Sequence, residues 1–353
     1  MEDIFDLRVF VQPLCQWYRD NKRSMPWRDE PTPYHVWVSE IMLQQTRIEA
    51  VKAYYSRFIQ RLPDVEALAG VPEEELLKLW EGLGYYNRAK NLKRAAMIMV
   101  ERYEGKLPAD YGLLLKLPGI GNYTAGAIAS IAYGISAPAV DGNVMRVFMR
   151  CLDCREDIMR QAVRRKVERS VMAVIPKNCP GEFNQGIMEL GETVCIPNGT
   201  PFCVECPLRH LCEGHLAGHE SDLPVKKEKR ARRIEERTVL LFEREGRVGL
   251  AKRGKQGLLA GMWEFPSIEG AKTPGELKEW LSVQGLHSFQ IKELGCAKHI
   301  FSHVEWHMSG YLIEVSRDFP EDMIQGIVWA KRGELREKYA IPAAFWYFRD
   351  KLL

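Results

Sequence analysis

Apolar residues recur at helical spacing through roughly the first 215 positions, and at strand spacing after about 238. Trp37, Ile41 and their apolar neighbours predict a helix ending at Gln44-Gln45-Thr46, and a second helical stretch runs on to about Arg61. Pro72 followed by Glu73, Glu74 and Glu75 marks a helix start, and Gly82 and Gly84 stop that helix. A further helix is predicted from about Asn87 to Tyr103, and a short one between Pro108 and Gly119. Thr124–Tyr133 is apolar and built of small residues, and Ile158–Val174 is a basic amphipathic helix. From about 216 to 237 the periodicity fails, and His, Gly, Pro and a charge run predict a linker. Val239–Phe242 and Arg247–Ala251 then read as strands joined by a Glu-Gly turn, with Thr273–Val283 a helix and Ser309–Val315 a strand. The pattern predicts an all-α region over 1–215, a basic linker over 216–237 and an α+β domain over 238–353.

Composition adds little: 353 residues, 46% hydrophobic and 27% charged, are ordinary for a globular chain of two or three domains. No apolar run approaches the length of a membrane span, and the acidic start Met1-Glu2-Asp3 carries no secretory leader, so a cytoplasmic protein away from membranes is expected. The net charge of +3 does not by itself imply nucleic acid. Its distribution is more telling, with seven basic residues against three acidic ones between Lys226 and Arg237. A second cluster is Arg160, Arg164, Arg165, Lys166 and Arg169. Such patches suit a phosphate backbone, and equally a solvated face.

Two stretches carry candidate chemistry. Leu117-Pro118-Gly119-Ile120-Gly121-Asn122-Tyr123-Thr124 reads as a glycine hairpin opening a helix, where Gly119 and Gly121 permit positive φ and close approach of backbone N–H groups to an anion. Beyond the small-residue run, Val140-Asp141-Gly142-Asn143 places one carboxylate just past that helix. A phosphate clamp followed by a lone acid suggests chemistry on a nucleotide; the same residues also read as a helix–turn–helix connection with a surface aspartate. The second stretch is Cys195-x7-Cys203-x2-Cys206-x5-Cys212. Four thiols in one compact loop suit an iron–sulfur cubane better than zinc, whose sites usually separate two short pairs, or disulfides. The other five cysteines, Cys15, Cys151, Cys154, Cys179 and Cys296, read as reduced or buried thiols, and Cys151-x2-Cys154 as structural.

Taken together the chain resembles the MutY-type adenine DNA glycosylases of the helix-hairpin-helix superfamily. The resemblance rests on Pro26-Trp27-Arg28, Trp37-Val38-Ser39-Glu40-Ile41-Met42-Leu43-Gln44-Gln45-Thr46, Gly82-Leu83-Gly84-Tyr85-Tyr86-Asn87-Arg88-Ala89, the hairpin, Val140-Asp141-Gly142-Asn143-Val144, the cysteine loop and Phe301-Ser302-His303. It covers nearly the whole chain and implies a six-helix barrel. Two departures stand out. The first cysteine gap is seven residues where the family has six, and Asn198-Gly199 can absorb the extra one. Tyr123 stands where the bifunctional endonuclease III type carries a lysine. Without that amine no Schiff base forms there, which implies base removal with little or no strand cleavage.

By the same resemblance Glu40, flanked by Trp37, Val38 and Ile41, is the general acid that protonates adenine N7, its pKa raised by that apolar setting. Asp141 faces the sugar and stabilises an oxocarbenium-like cation, either by charge or by bonding C1′. Asn143 orients Asp141 or water, and Tyr123 lines the pocket. Since the base must be flipped from the stack, Gln45 and Tyr85 are implied wedges, with Leu43 and Thr46 nearby and Arg28 at the adenine. Gly119 and Gly121 bind phosphate, with a monovalent or calcium cation at the hairpin, and Cys195, Cys203, Cys206 and Cys212 hold a [4Fe-4S] cluster. Arg209 and His210 add a basic DNA-contact surface. The partner implied is duplex DNA containing adenine opposite 8-oxoguanine or guanine, bound by a monomer.

The C-terminal part resembles a Nudix hydrolase fold through Gly257-Leu258-Leu259-Ala260-Gly261-Met262-Trp263-Glu264-Phe265-Pro266. Its helix offers only Glu276 and Glu279, too few acids for a metal-dependent hydrolase, so a recognition module is expected. Phe301, Ser302 and His303 then form the loop that reads 8-oxoguanine, Ser302 facing its N7-H and O8 edge. The alternatives are a pyrimidine-lesion glycosylase/lyase of the endonuclease III type, and a DNA-binding or electron-relay protein without catalysis.

Overall fold

A computed structural model describes residues 4–226, 231–316, 319, 323–324 and 326–353. Contacts divide the chain into two units, Met1–Val71 with Lys90–Glu228, and Pro72–Ala89 with Lys229–Leu353. The segment 72–89, expected within the helical region, groups with the C-terminal unit. Of the basic run, Lys227, Lys229 and Arg230 lie outside the described residues. Among the described residues no helix is long and apolar enough to cross a membrane.

The first unit is all-helical. At its centre runs the helix Pro33–Leu43, started by Pro33 and capped by the Thr32 hydroxyl, which accepts from the His35 amide at 3.2 Å. Tyr34 and every residue from Val36 to Met42 are buried, so the helix is apolar all round except for His35, Ser39 and Glu40. A carboxylate therefore sits inside the core. Phe10, Leu14, Val144, Phe148, Val167, Val171, Phe183, Ile187 and Leu190 pack into one cluster. They come from the helices Arg8–Asn21, Gly142–Cys151, Gln161–Val174 and Pro180–Thr193. The small-residue stretch forms the helix Asn122–Ala127, which widens into a π-helical turn over Ile128–Ala132. The extended return behind it is held by Asn184, fully buried, which donates to the Ala137 carbonyl at 2.9 Å and accepts from the Ala139 amide at 3.2 Å.

The second unit is built on a mixed sheet. Its central strand, Arg233–Arg244, runs parallel to Val304–Val315, from the pair Arg233↔Val304 to Glu243↔Glu314. It pairs antiparallel with Arg247–Lys252 and with Ser267–Glu269. Val239 and Leu241 enter one core with Trp306, Met308, Phe345 and Phe348, while Leu240 and Phe242 enter the other with Leu277, Leu281 and Ile313. Covered on both faces, the strand reads as a continuous apolar run. Leu277 and Leu281 belong to the helix Pro274–Val283, whose Glu276 closes a capping box with Thr273. Glu276 is thus engaged in holding a helix end.

Two features differ from the sequence expectation. The central strand begins at Arg233, inside the expected linker, because its first residues pair along the Val304 strand. The strand Phe289–Ile300 is not among the expected elements: it pairs with Val304–Val315 but buries none of its residues fully, and the alternation Phe289-Gln290-Ile291-Lys292 breaks off at Glu293.

Candidate active site

In the helical unit a cavity of about 810 Å³ is lined by Arg28, Glu40, Leu43, Gln45, Thr46, Gly121, Tyr123, Asp141 and Asn143 from the predicted set. Glu40 is 7% exposed and accepts from the Tyr123 hydroxyl at 2.5 Å. Burial pushes its carboxyl up to about 7; the Tyr123 hydrogen bond and the Arg28 charge oppose the rise, and the Asp141 charge adds to it. The Tyr123 phenol, itself buried beside two carboxylates, is held well above its usual range and stays protonated. Its hydroxyl also reaches Met188 Sδ at 3.2 Å.

Asp141 caps the helix Gly142–Cys151 and accepts from the Val144 amide at 2.8 Å and the Asn143 side-chain amide at 2.9 Å. Burial raises its carboxyl above the ordinary value, and these donors work against that rise. The Asn143 amide is itself oriented, because Arg146 donates to Asn143 Oδ1 at 2.7 Å. Arg146, 6% exposed, also donates to the carbonyls of Gly191 at 2.7 Å and Cys195 at 2.8 Å. A Cβ on Gly191 would stand 2.7 Å from Asn143 Cβ, so the close crossing of the two helices requires glycine there. Arg164 donates to the Val140 carbonyl at 2.8 Å, one residue before Asp141.

Arg28 reaches the cavity because a buried carboxylate holds it. Glu189 accepts from Arg23 Nε at 2.5 Å and from Arg28 Nη2 at 2.8 Å. Burial works to raise Glu189, but the two guanidinium partners keep it below the usual carboxylate range. Sequence reasoning missed Glu189, Arg146 and Gly191, and read Arg164 only as part of a basic patch. The one visible signal was a carboxylate inside the apolar run Met188-Glu189-Leu190.

The hairpin glycines differ from each other. Gly119 has φ +79, and a Cβ there would stand 2.7 Å from Asn91 Cβ. Gly121 lines the cavity with φ −99, so the expected positive φ is corrected at that position; nothing lies within 4 Å of where its Cβ would be. Neither the local dihedral nor a neighbouring atom demands glycine at this position. Gln45, exposed at the cavity edge, holds φ 58 although it is not glycine.

Cys195, Cys203, Cys206 and Cys212 line one small pocket with Cys151, Arg150, His215 and Glu220. All nine cysteines carry free thiols. Arg150, 3% exposed, donates to Cys195 Sγ at 3.3 Å and to the Ile196 carbonyl at 2.9 Å, which sets a buried cation against the sulfurs. A hydrogen bond from Cys151 brings Cys212 down to about 7, and burial pushes Cys206 up to about 12. Cys151, expected to be merely structural, therefore sits against the group of four. Within the first gap Gly199, at φ +78, bends the loop. Four converging thiols with a guanidinium beside them fit a group bound through thiolates.

In the second unit Phe301, Ser302 and His303 form the loop between the paired strands Phe289–Ile300 and Val304–Val315. Phe301 packs edge-on against Trp306, with ring centroids 4.8 Å apart, leaving Ser302 and His303 exposed. The Tyr85 hydroxyl lies 3.0 Å from Ser302 Oγ within this unit. Tyr85 is 47% exposed and holds φ 47, on a turn fastened by Arg88, which donates to the Leu83 carbonyl at 3.0 Å.

Comparison with known proteins gives two family matches: HhH-GPD superfamily base excision DNA repair protein over residues 38–173, and NUDIX domain over residues 237–350. The chain is 34% identical to adenine DNA glycosylase of Mus musculus, over 86% of this chain and 70% of that protein. It is 32% identical to adenine DNA glycosylase of Buchnera aphidicola, over 87% of each. Among solved structures it is similar to a thermostable thymine-DNA glycosylase, with 29% identity and a TM-score of 0.54 over 59% of this chain and 96% of that one.

Proposed function

This chain belongs to the adenine DNA glycosylase family, and we propose that it excises adenine opposite 8-oxoguanine or guanine in duplex DNA without cutting the strand. The observation that carries the reading is the cavity in which Glu40, proton-bound up to about pH 7, shares one space with Asp141 and the phenol of Tyr123.

Adenine leaves readily only when protonated. Glu40 gives its proton to N7 of the flipped base, and the bond from C1′ to N9 breaks with its electrons passing to the ring. Asp141, fixed by the Val144 amide and Asn143, places negative charge beside the cationic sugar. Water adds at C1′ and releases a proton, leaving an abasic site. Arg28, clamped by Glu189, borders the base, and position 123 offers a phenol where a strand-cleaving mechanism needs an amine. Gln45 and Tyr85 enter the stack, and Gly119 and Gly121 present backbone N–H groups to a phosphate.

The four clustered cysteines are the ligands we assign to a [4Fe-4S] cluster, with Arg150 offsetting the thiolate charge. When bound, the cluster cross-links and stiffens the loop. In the C-terminal domain Ser302 reads 8-oxoguanine. The enzyme acts as a cytoplasmic monomer on chromosomal DNA.

Single-turnover adenine release from duplexes with adenine opposite 8-oxoguanine, guanine or thymine tests this directly. Fast release opposite 8-oxoguanine, with nicks only after alkali, is expected. Nicking of oxidised-pyrimidine DNA without alkali, and no adenine release, would move the chain to the endonuclease III type.

A further inference from the structure

Cys15 and Cys179 are 164 residues apart in sequence, yet their sulfurs lie 3.9 Å from each other. Cys15 is on the helix Arg8–Asn21, and Cys179 immediately precedes Pro180 at the start of the helix Pro180–Thr193. The two helices touch closely, since a Cβ on Gly186 would stand 3.2 Å from both the Leu14 carbonyl and Tyr18 Cβ. One turn along each helix, Arg19 and Glu182 form an ion pair at 2.7 Å. The two sulfurs are therefore held face to face by a fixed helix crossing. We propose that Cys15 and Cys179 form a reversible disulfide under oxidising conditions, driven by a small-molecule disulfide, and that the bond ties these two helices together.

Exposure sets the order of events. Cys15 is 5% exposed and Cys179 is partly exposed, so the oxidant meets Cys179 first. Burial and the neighbouring Cys179 push the Cys15 thiol up, so Cys15 is the slower nucleophile and reacts second, when the mixed disulfide on Cys179 stands beside it. In the first step the Cys179 thiolate attacks a sulfur of oxidised glutathione, and one glutathione thiolate leaves. In the second, Cys15 loses its proton and attacks Cys179 Sγ, expelling the remaining glutathione as the second thiolate. Two protein thiols are oxidised and one glutathione disulfide is reduced. A disulfide needs about 2.05 Å between sulfurs, so side-chain rotation must close about 2 Å.

The bond joins an N-terminal helix to the one that carries Met188, Glu189 and Glu192 at the cavity wall. It leaves the four clustered cysteines untouched.

The test equilibrates the full, iron-loaded chain with mixtures of reduced and oxidised glutathione, blocks free thiols by alkylation and maps disulfides by mass spectrometry. The expected product is a Cys15–Cys179 cross-linked peptide that disappears on adding reductant. Cys15→Ser should stop at a glutathione adduct on Cys179, and Cys179→Ser should leave Cys15 unmodified. Cys179 staying reduced, or carrying glutathione as its end product in the unsubstituted chain, overturns the proposal. So does Cys15 pairing with another cysteine.

Discussion

Glu40 accepts from one hydroxyl and is only 7% exposed, and the proton it holds has consequences for both rate and stability. Its protonated fraction falls tenfold per unit above about pH 7, so single-turnover adenine release should decline along that limb. Glu40→Gln should slow release by about 10²- to 10⁴-fold. Because the Tyr123 hydroxyl favours the carboxylate, Tyr123→Phe should move the declining limb to higher pH. The folded pKa of about 7 lies above the ordinary 4.5, so the folded chain keeps a proton that the unfolded chain loses between those values. This group's contribution is full below about 4.5 and is lost as pH rises to about 7, a change on the order of 3 kcal/mol. Urea unfolding at about pH 5 and about pH 8 should show that slope in the parent and not in Glu40→Gln. Asp141→Asn should abolish base release while leaving binding to the mispair largely intact, read by gel shift beside single-turnover rates. Both carboxylates were legible in the sequence because each stands in a local motif. Glu189 and Arg146 were not, since Arg23 and Arg28 reach Glu189, and the Gly191 and Cys195 carbonyls reach Arg146, only once distant segments have packed.

At the scale of elements, legibility followed burial. The apolar run Val239–Phe242 and the proline-started helix Pro274–Val283 announce themselves, because a covered strand and a capped helix need those residues. The strand Phe289–Ile300 does not, because its place is fixed by hydrogen bonds to Val304–Val315 and its side chains stay largely outside the core. The crossing of Gly142–Cys151 with Pro180–Thr193 depends on a single absent side chain. Gly191→Ala should displace Asn143 and cost about 1–3 kcal/mol, measured by urea unfolding, with slower base release. Arg146→Met should leave the Gly191 and Cys195 carbonyls without their donor and destabilise by a similar amount.

Across the whole molecule, the Glu40–Asp141 cavity and the Phe301–His303 loop belong to different units of the chain. Their substitutions should separate accordingly. Ser302→Ala should narrow the preference for 8-oxoguanine over guanine by about 1–3 kcal/mol, read as the ratio of release rates, with the rate opposite guanine little changed. Tyr85 belongs to the second unit and meets Ser302 there, although its sequence neighbours suggested the helical one. It shares one property with Gln45: each keeps a bulky side chain on left-handed backbone, at a cost of about 1 kcal/mol. For an engineer these are two positions where thermal stability and performance pull apart. Replacing either with glycine relieves the backbone and removes the group assigned to the DNA stack, so selection for heat resistance alone should drift toward glycine and away from repair.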